Sequence, residues 1–162
     1  MKQESQEFLS SLLEEQKNKE LLIKDLCARL DTNLVCSIYR TDDEGVGYRD
    51  EILHGYCKGD IWYEFYFRED CSIGIDNVSK IKPYLYPLSS MTDEQRKELE
   101  ELGLGYYVTC QDIDDDGYMW DEKVFQIIPG TETDDWMNAH HFDYRCLIEK
   151  GLAIDCTNLN IY

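Results

Sequence analysis

The spacing of apolar side chains separates helical from extended segments along the chain. Between residues 4 and 30 they recur every three to four positions, which predicts an amphipathic helix. The repeat loses phase over the polar residues 17–20, so the segment is either two helices joined at a bend or one long helix whose halves pack on different surfaces. A projecting first half would be an oligomerisation arm. We favour a helix folded onto its own domain.

After residue 33 the apolar repeat changes to a period of two, which is typical of half-buried antiparallel strands. An acidic loop at 41–47 interrupts this part, and short turn sequences separate the other extended segments. The pattern predicts a meander of three or four strands. We expect these strands over residues 34–39, 51–57, 61–67 and 71–75.

The second half of the chain begins with an extended, proline-containing crossing at 81–88. A capping-box pattern, Thr92 to Gln95, predicts a helix over 92–102 that stops at Gly103. Strands follow at 106–110 and 123–128, joined by an acidic loop with Asp116-Gly117 at its tip, and helical spacing returns over 134–145. The fold class is therefore α+β: a small antiparallel sheet, a meander plus a hairpin, packed with N-terminal, central and C-terminal helices.

Charge is unevenly distributed over the 162 residues. The chain has 34 acidic and 16 basic side chains, and its net charge of −18 divides into −1 on residues 1–30 and −17 on residues 31–162. Such a surface repels nucleic acid, whose affinity for proteins depends largely on Lys and Arg. Direct nucleic-acid binding is disfavoured, while a basic protein partner, a cation or simple solubility all remain compatible with the charge.

The sequence also predicts the compartment. It contains no apolar run near the length of about 20 residues that spans a bilayer, and its start lacks the features of a signal peptide. We therefore expect a soluble, cytoplasmic protein without membrane contact. The seven cysteines are odd in number and include no CxxC pair, so we interpret them as reduced thiols. Cys27, Cys36 and Cys71 lie at positions that favour a role as small apolar filler.

One acidic segment has part of the calcium-loop pattern. Residues 112–117 read DIDDDG, in which Asp112, Asp114 and Asp116 occupy the first three ligand positions and the glycine permits a sharp turn. The Tyr118 carbonyl would be a further ligand, but the twelfth position is Lys123 instead of a bidentate glutamate, which only Glu122, one place early, could replace. A hairpin tip explains the same residues, and we favour it over a calcium site. No other cofactor is indicated.

A second segment, residues 136–145, concentrates side chains that are common in ligand sites. On one continuous helix, Trp136, His140 and Tyr144 would share a face, and His141 and Arg145 would share a neighbouring face. Adjacent histidines point about 100° apart on a helix, so they do not bind one metal together. The segment is either a small-ligand or catalytic site or a helix hydrogen-bonded within the domain. We favour the second interpretation and assign no catalytic residue.

Three blocks of sequence resemble a known group of proteins. ELLIKDLCARL at 20–30, IKPYLYPLSSMTDE at 81–94 and residues 136–153 are similar, in this order, to a family of uncharacterised acidic proteins encoded by phages and integrated mobile elements of gut anaerobic bacteria. Residues 1–18 lie outside the resemblance, which makes them a variable helical extension and 19–162 a single α+β domain. Cys146 stands where relatives usually have glycine, and Met137 where they tend to have leucine. The resemblance implies a setting and no activity.

These observations favour a non-enzymatic binding protein of phage or mobile-element origin. It would act through an acidic surface on a host or phage protein, in a narrower form as an anti-defence factor or nucleic-acid decoy. The alternatives are a small-ligand binder or enzyme that uses residues 136–145, and a calcium-binding loop. The predicted partner-binding residues lie in the 41–51 and 112–122 loops: Asp42, Asp43, Glu44, Asp112, Asp114, Asp115 and Asp116. The sequence leaves the oligomeric state open.

Overall fold

The computed structural model describes residues 2–42, 45–58, 63–68, 71–113 and 119–162. Helix α1 spans Lys2–Ala28, α2 spans Asp93–Glu101 and α3 spans Thr131–Ala139, with 3₁₀ helices at Ile75–Lys80 and Leu88–Ser90. The strands are β1 (Val35–Asp42), β2 (Gly45–Ile52), β3 (Gly55–Lys58), β4 (Tyr63–Arg68), β5 (Cys71–Gly74), β6 (Ile81–Leu85), β7 (Gly105–Ile113), β8 (Met119–Ile127) and β9 (Ile154–Asp155).

Helix α1 is continuous through the polar residues 17–20, which answers the question left open by the sequence. Its second half contributes Leu22 and Leu26 to the core, where both are buried. Apolar side chains of the first half are exposed instead. The favoured interpretation, a helix folded onto its own domain, therefore holds only for the second half of α1.

The described strands form three small sheets, so the predicted α+β class is confirmed. The first sheet has the order β2-β1-β6-β9, the second is the meander β3-β4-β5, and the third is the hairpin β7-β8. Neighbouring strands run antiparallel except for β6 and β9, which are parallel. The predicted acidic loop at 41–47 is wrong in its bounds, because β1 continues to Asp42 and β2 resumes at Gly45, opposite it. The Tyr39 and Tyr48 rings, 5.1 Å apart, support this longer ladder across the two strands.

Two hydrophobic clusters hold the described elements together. The first cluster joins the second half of α1 to the first two sheets, and its buried side chains include Leu26, Ile38, Phe65, Ile81 and Leu147. The second cluster joins α2, the base of the β7–β8 hairpin and α3. It contains Met91, Leu99, Trp136, Met137 and Phe142, with Phe125 and Ile127 packed against it.

Helix α2 lies between the two residues predicted as its ends, with Thr92 as its N-cap and Leu102 as its C-cap. The Thr92 hydroxyl accepts a hydrogen bond from the Gln95 amide, and the Gln95 side chain accepts one from the Thr92 amide, which is the predicted capping box. Gly103 has a φ of +73°, and the Leu104 amide donates to the Leu99 carbonyl across the end of the helix. These contacts satisfy backbone groups that a helix terminus leaves without partners.

The predicted C-terminal helix over 134–145 is wrong at its end. Helix α3 stops at Ala139, and His141 adopts a φ of +58°, which breaks the helical path. Phe142 then enters the second cluster, and its neighbour Asp143 donates its amide to the Tyr86 carbonyl. The Asp143 carboxylate accepts hydrogen bonds from the Leu147 and Ile148 amides and so fixes the next turn. Burial of Phe142 and these long-range hydrogen bonds outweigh the helical spacing of the sequence.

Candidate functional site

An ionic centre joins α1 to the turn that follows α3. The Asp25 carboxylate is fully buried and accepts hydrogen bonds from Arg29 Nε at 2.9 Å, Arg29 Nη2 at 3.2 Å and Arg145 Nη1 at 2.7 Å. Arg29, also fully buried, donates through Nη2 to the Phe142 carbonyl at 2.7 Å and through Nη1 to the Asn138 carbonyl at 3.4 Å. Two guanidinium groups thus share one carboxylate, and the surplus positive charge is compensated by backbone carbonyls.

The Tyr144 ring lies against both cations of this centre. Its centroid is 4.3 Å from Arg145 Cζ and 5.8 Å from Arg29 Cζ, within the range of cation–π attraction. Burial raises the pKa of the Tyr144 hydroxyl, so the phenol stays neutral at physiological pH. Tyr144 and Arg145 therefore belong with Asp25 on α1 and with Arg29, which directly follows the helix. The sequence analysis did not select either of these two residues.

His141 is buried next to the ionic centre. Its imidazole stacks on the Tyr162 ring, with centroids 3.8 Å apart and planes 8° from parallel. Burial lowers the His141 pKa to about 4, and the positive charges of Arg29 and His140 act in the same direction. His141 is consequently neutral at pH 7, and its Nδ1 atom has no hydrogen-bond partner among the described residues.

Tyr162 closes this side of the cluster. Its hydroxyl donates to the Tyr84 carbonyl at 2.8 Å and accepts from the Val35 amide at 3.2 Å, which ties it to β6 and β1. Its ring also lies 6.0 Å from the Tyr86 ring. Burial raises the Tyr162 pKa well above its usual value, so the hydroxyl remains a hydrogen-bond donor.

Trp136 and His140 form a separate group at the contact between α2 and α3. Their rings stack at a centroid distance of 3.9 Å, as the spacing of four residues predicts. Trp136 Nε1 donates to the Glu98 carboxylate at 3.2 Å, and His140 Nδ1 lies 2.9 Å from the Trp136 carbonyl. The predicted face that adds Tyr144 to these two is wrong, because the helix ends before Tyr144.

The five residues predicted as a ligand site thus divide into two groups with partners inside the fold. Two grooves of about 500 Å³ lie elsewhere: one beside α1, lined by Leu12, Leu22 and Val78, and one between the hairpin and α2. Neither groove is lined by any of the five residues. The ion pairs and ring contacts inside the fold favour the structural interpretation over ligand binding or catalysis. The buried Tyr144 hydroxyl, like His141 Nδ1, has no hydrogen-bond partner among the described residues.

Burial also determines the protonation of the cysteine thiols. Cys36 lies in the first cluster, and Cys27 packs against it half-buried. Burial raises the pKa of the Cys36 thiol and raises that of Cys156 to about 11, so both stay protonated and are poor nucleophiles. The interpretation as apolar filler is supported for Cys36 and Cys27, while the Cys71 side chain lies outside the described residues.

Most of the predicted partner-binding residues cannot be placed. Asp43, Glu44, Asp114, Asp115 and Asp116 lie outside the described residues. Asp42 and Asp112 were predicted in loops, but both are on strands. Asp42 is the last residue of β1, and Asp112 is on β7, opposite Trp120. Whether the two acidic segments form one face stays a prediction.

The strand pairing on both sides of the proposed calcium loop is that of a hairpin. Lys123, at the twelfth position of the loop pattern, lies on β8 opposite Thr109, and both flanking segments are strands instead of helices. Within the described residues no group of three or more His, Cys, Asp or Glu side chains has the arrangement of a metal site. Calcium bound at the undescribed tip would raise the melting temperature, and Asp114→Ala would abolish that rise.

The largest concentration of negative charge lies on the elements that the second cluster joins. Residues 93–135, which comprise α2, the hairpin and the first half of α3, contain 14 acidic and three basic side chains, a net charge of −11. Glu94 and Glu100 on α2 and Glu132 and Asp135 on α3 are exposed. Without Asp114, Asp115 and Asp116, which lie outside the described residues, this stretch has 11 acidic and three basic side chains, a net charge of −8. The second cluster packs α2, the base of the hairpin and α3 together, so much of this charge lies on elements that are in contact. The sequence analysis missed these helical carboxylates because it considered only acidic loops.

No protein-family model matches the chain, and no curated protein or solved structure is similar to it at a significant level. In the described part of the chain, no helix combines the length and the apolar character that crossing a membrane requires.

Proposed function

We propose that this chain is a non-enzymatic binding protein that attaches to a basic protein surface through the acidic unit formed by α2, the β7–β8 hairpin and α3. The observation that carries the proposal is the net charge of −11 on residues 93–135, with exposed carboxylates on both helices. The proposal includes in this surface the acidic segment 112–116, which is part of that count, and adds the acidic segment 41–44 to it. The resemblance to proteins of phages and mobile elements suggests a host or phage protein in the bacterial cytoplasm as the partner.

The negative charge of this surface determines which kinds of partner it favours. A field of one sign accelerates association with a surface of the opposite sign and suppresses contact with surfaces of the same sign. Nucleic acids and anionic lipid surfaces are therefore opposed, and Lys- and Arg-rich protein surfaces are favoured. Arg145 is paired with Asp25 and His140 is stacked on Trp136, and these contacts within the fold support binding over catalysis in the proposal.

The test separates the effect of where the negative charge lies from the effect of the total charge. One variant carries Glu94→Gln, Glu100→Gln, Glu132→Gln and Asp135→Asn within the acidic unit. The matched control neutralises four exposed carboxylates elsewhere, namely Glu7, Glu14, Asp31 and Glu149. Both have a net charge of −14, so a difference between them reports where the charge lies.

Partners are recovered from host lysate on the immobilised chain and identified by mass spectrometry at about 0.05 M and about 0.5 M NaCl. We expect basic proteins that are lost at high salt and whose recovery falls about tenfold with the acidic-unit variant but not with the control. Equal recovery with both variants, or at both salt concentrations, would contradict the proposal.

A narrower version makes the acidic unit a decoy for a nucleic-acid-binding host factor. Duplex DNA presents one negative charge per about 1.7 Å of its axis. A decoy imitates this row of charges, so it competes with DNA for the same basic site. If a recovered partner binds DNA, an excess of duplex should displace it from the chain. A partner held equally well in the presence of the duplex would leave the binding function and exclude the decoy.

A further inference from the structure

We infer that the first half of α1 associates with the same segment of a second copy of this chain, as an antiparallel helix pair. The contact surface is the arm stripe, defined as Phe8, Leu9, Leu12 and Leu13. The exposed fractions of these side chains are 65%, 58%, 46% and 63%.

The arm stripe is left exposed although α1 continues as one helix into the first cluster. At 3.6 residues per turn, the stripe points about 90° around the helix axis from the direction of Leu22 and Leu26. Those two residues are buried in the first cluster. Phe8 lies about 20° from their direction and is nevertheless the most exposed of the four. Leu12, about 60° away, is the least exposed and lines the groove beside α1. The loss of phase at 17–20 is thus a rotation of the apolar face within one continuous helix.

The stripe is complementary to itself. A two-fold axis that passes between the two helices, level with the midpoint of Ser10 and Ser11, places Phe8 opposite Leu13 of the second copy and Leu9 opposite Leu12, since each pair has the same mean position. This is the isologous arrangement of a C₂ dimer, in which one patch serves both copies. Glu7 and Glu14 point to the far side of the helix and do not face each other across the contact.

Charge favours α1 over the rest of the chain as the contact between copies. Residues 1–30 have a net charge of −1 and residues 31–162 a net charge of −17, so the repulsion between two copies is weakest along α1. In the antiparallel pair the two acidic bodies begin about ten residues beyond the axis, on opposite sides. At 1.5 Å per residue this separates them by roughly 30 Å, several times the Debye length of about 8 Å at physiological ionic strength.

The area sets the strength of the contact. The four side chains expose on the order of 400 Å² of apolar surface, a patch of the size that usually marks an interaction site. Burial of two such patches gives about 800–1,000 Å², below the 1,200–2,000 Å² of a stable interface. We therefore expect a reversible dimer with a dissociation constant of roughly 10–100 µM.

The test is sedimentation equilibrium of the full chain between about 10 µM and about 1 mM, a range that brackets this constant. The double variant Leu9→Glu and Leu13→Glu should remain monomeric throughout, because its charges would be buried in the contact and glutamate preserves helix formation. The control Glu7→Gln and Glu14→Gln, on the far side of α1, should dimerise like the parent. Circular dichroism and the melting temperature verify that each variant is folded.

Salt separates this contact from the proposed acidic docking surface. Dimerisation through the arm stripe should persist or strengthen at about 0.5 M NaCl, where the proposed partner binding weakens. A chain that stays monomeric up to 1 mM, or a dimer that survives the double variant, would overturn the inference. So would a monomeric chain that loses a lysate protein with the double variant, since another protein would then be the occupant.

Discussion

Acidification should weaken the fold through His141, the buried imidazole that stacks on Tyr162. Its folded-state pKa of about 4 lies below the ordinary value of 6.5 that applies to the unfolded chain. Between pH 4 and pH 6.5 the unfolded chain therefore binds a proton at His141 that the folded chain does not bind. The contribution of neutral His141 to stability is complete above pH 6.5 and is lost as the pH falls from 6.5 toward 4.

The pKa difference sets the magnitude. Each unit is worth 1.36 kcal/mol, so the full loss in the free energy of unfolding is about 3 kcal/mol, of which about 2 kcal/mol has been lost at pH 5. Other titrating groups also change between pH 7 and pH 5, so the effect of His141 has to be separated from theirs. His141→Asn provides the separation, because asparagine does not titrate and tolerates the φ of +58° at this position.

The assay is urea unfolding of the parent and of His141→Asn at pH 7 and at pH 5. We expect the parent to lose about 2 kcal/mol more than the variant between the two pH values, although the variant is the less stable protein at pH 7. A nuclear magnetic resonance titration of the imidazole provides a direct value. Equal pH dependence of the two proteins, or an imidazole that titrates near 6.5, would refute the reasoning.

Three further substitutions test separate features by urea unfolding. Asp25→Asn leaves the Arg29 guanidinium buried without its carboxylate and should cost about 3–5 kcal/mol, and a loss under 1 kcal/mol would mean that the centre is solvated. Gly105→Ala places a Cβ inside the Phe125 ring at the base of the hairpin and should cost about 1–3 kcal/mol, so an unchanged midpoint would contradict the packing. Cys146→Gly removes a side chain from a residue with a φ of +58° and should raise stability by up to about 1 kcal/mol, where a decrease would show that the thiol contributes more than the backbone strain costs.

Local signals in the sequence predicted the elements whose ends depend on nearby residues. Thr92, Gln95 and Gly103 determine both ends of α2 by contacts within a few positions, and the pattern located them correctly. The end of α3 depends instead on Tyr86, more than fifty residues away, whose backbone pairs with the segment around Phe142. Helical spacing that continues past Ala139 carries no information about that partner.

The ionic centre was missed for a related reason. Asp25 and Arg29 have the spacing of an ordinary exposed ion pair on a helix, and that spacing does not distinguish a solvated pair from a buried one. Burial is decided by Arg145 and by carbonyl groups of the turn after α3, which the helix meets only in the folded chain. The sequence did select Tyr144 and Arg145, but in the wrong local structure and without the residues that they contact.

The bond between Asp25 and Arg145 has a consequence for the order of events during translation. These residues are 120 positions apart. At about 5–20 residues per second the ribosome needs roughly 6–24 s to make the intervening chain. Throughout that interval the nascent helix α1 lacks Arg145, so its final seating, with Asp25 enclosed, follows synthesis of the chain through that residue.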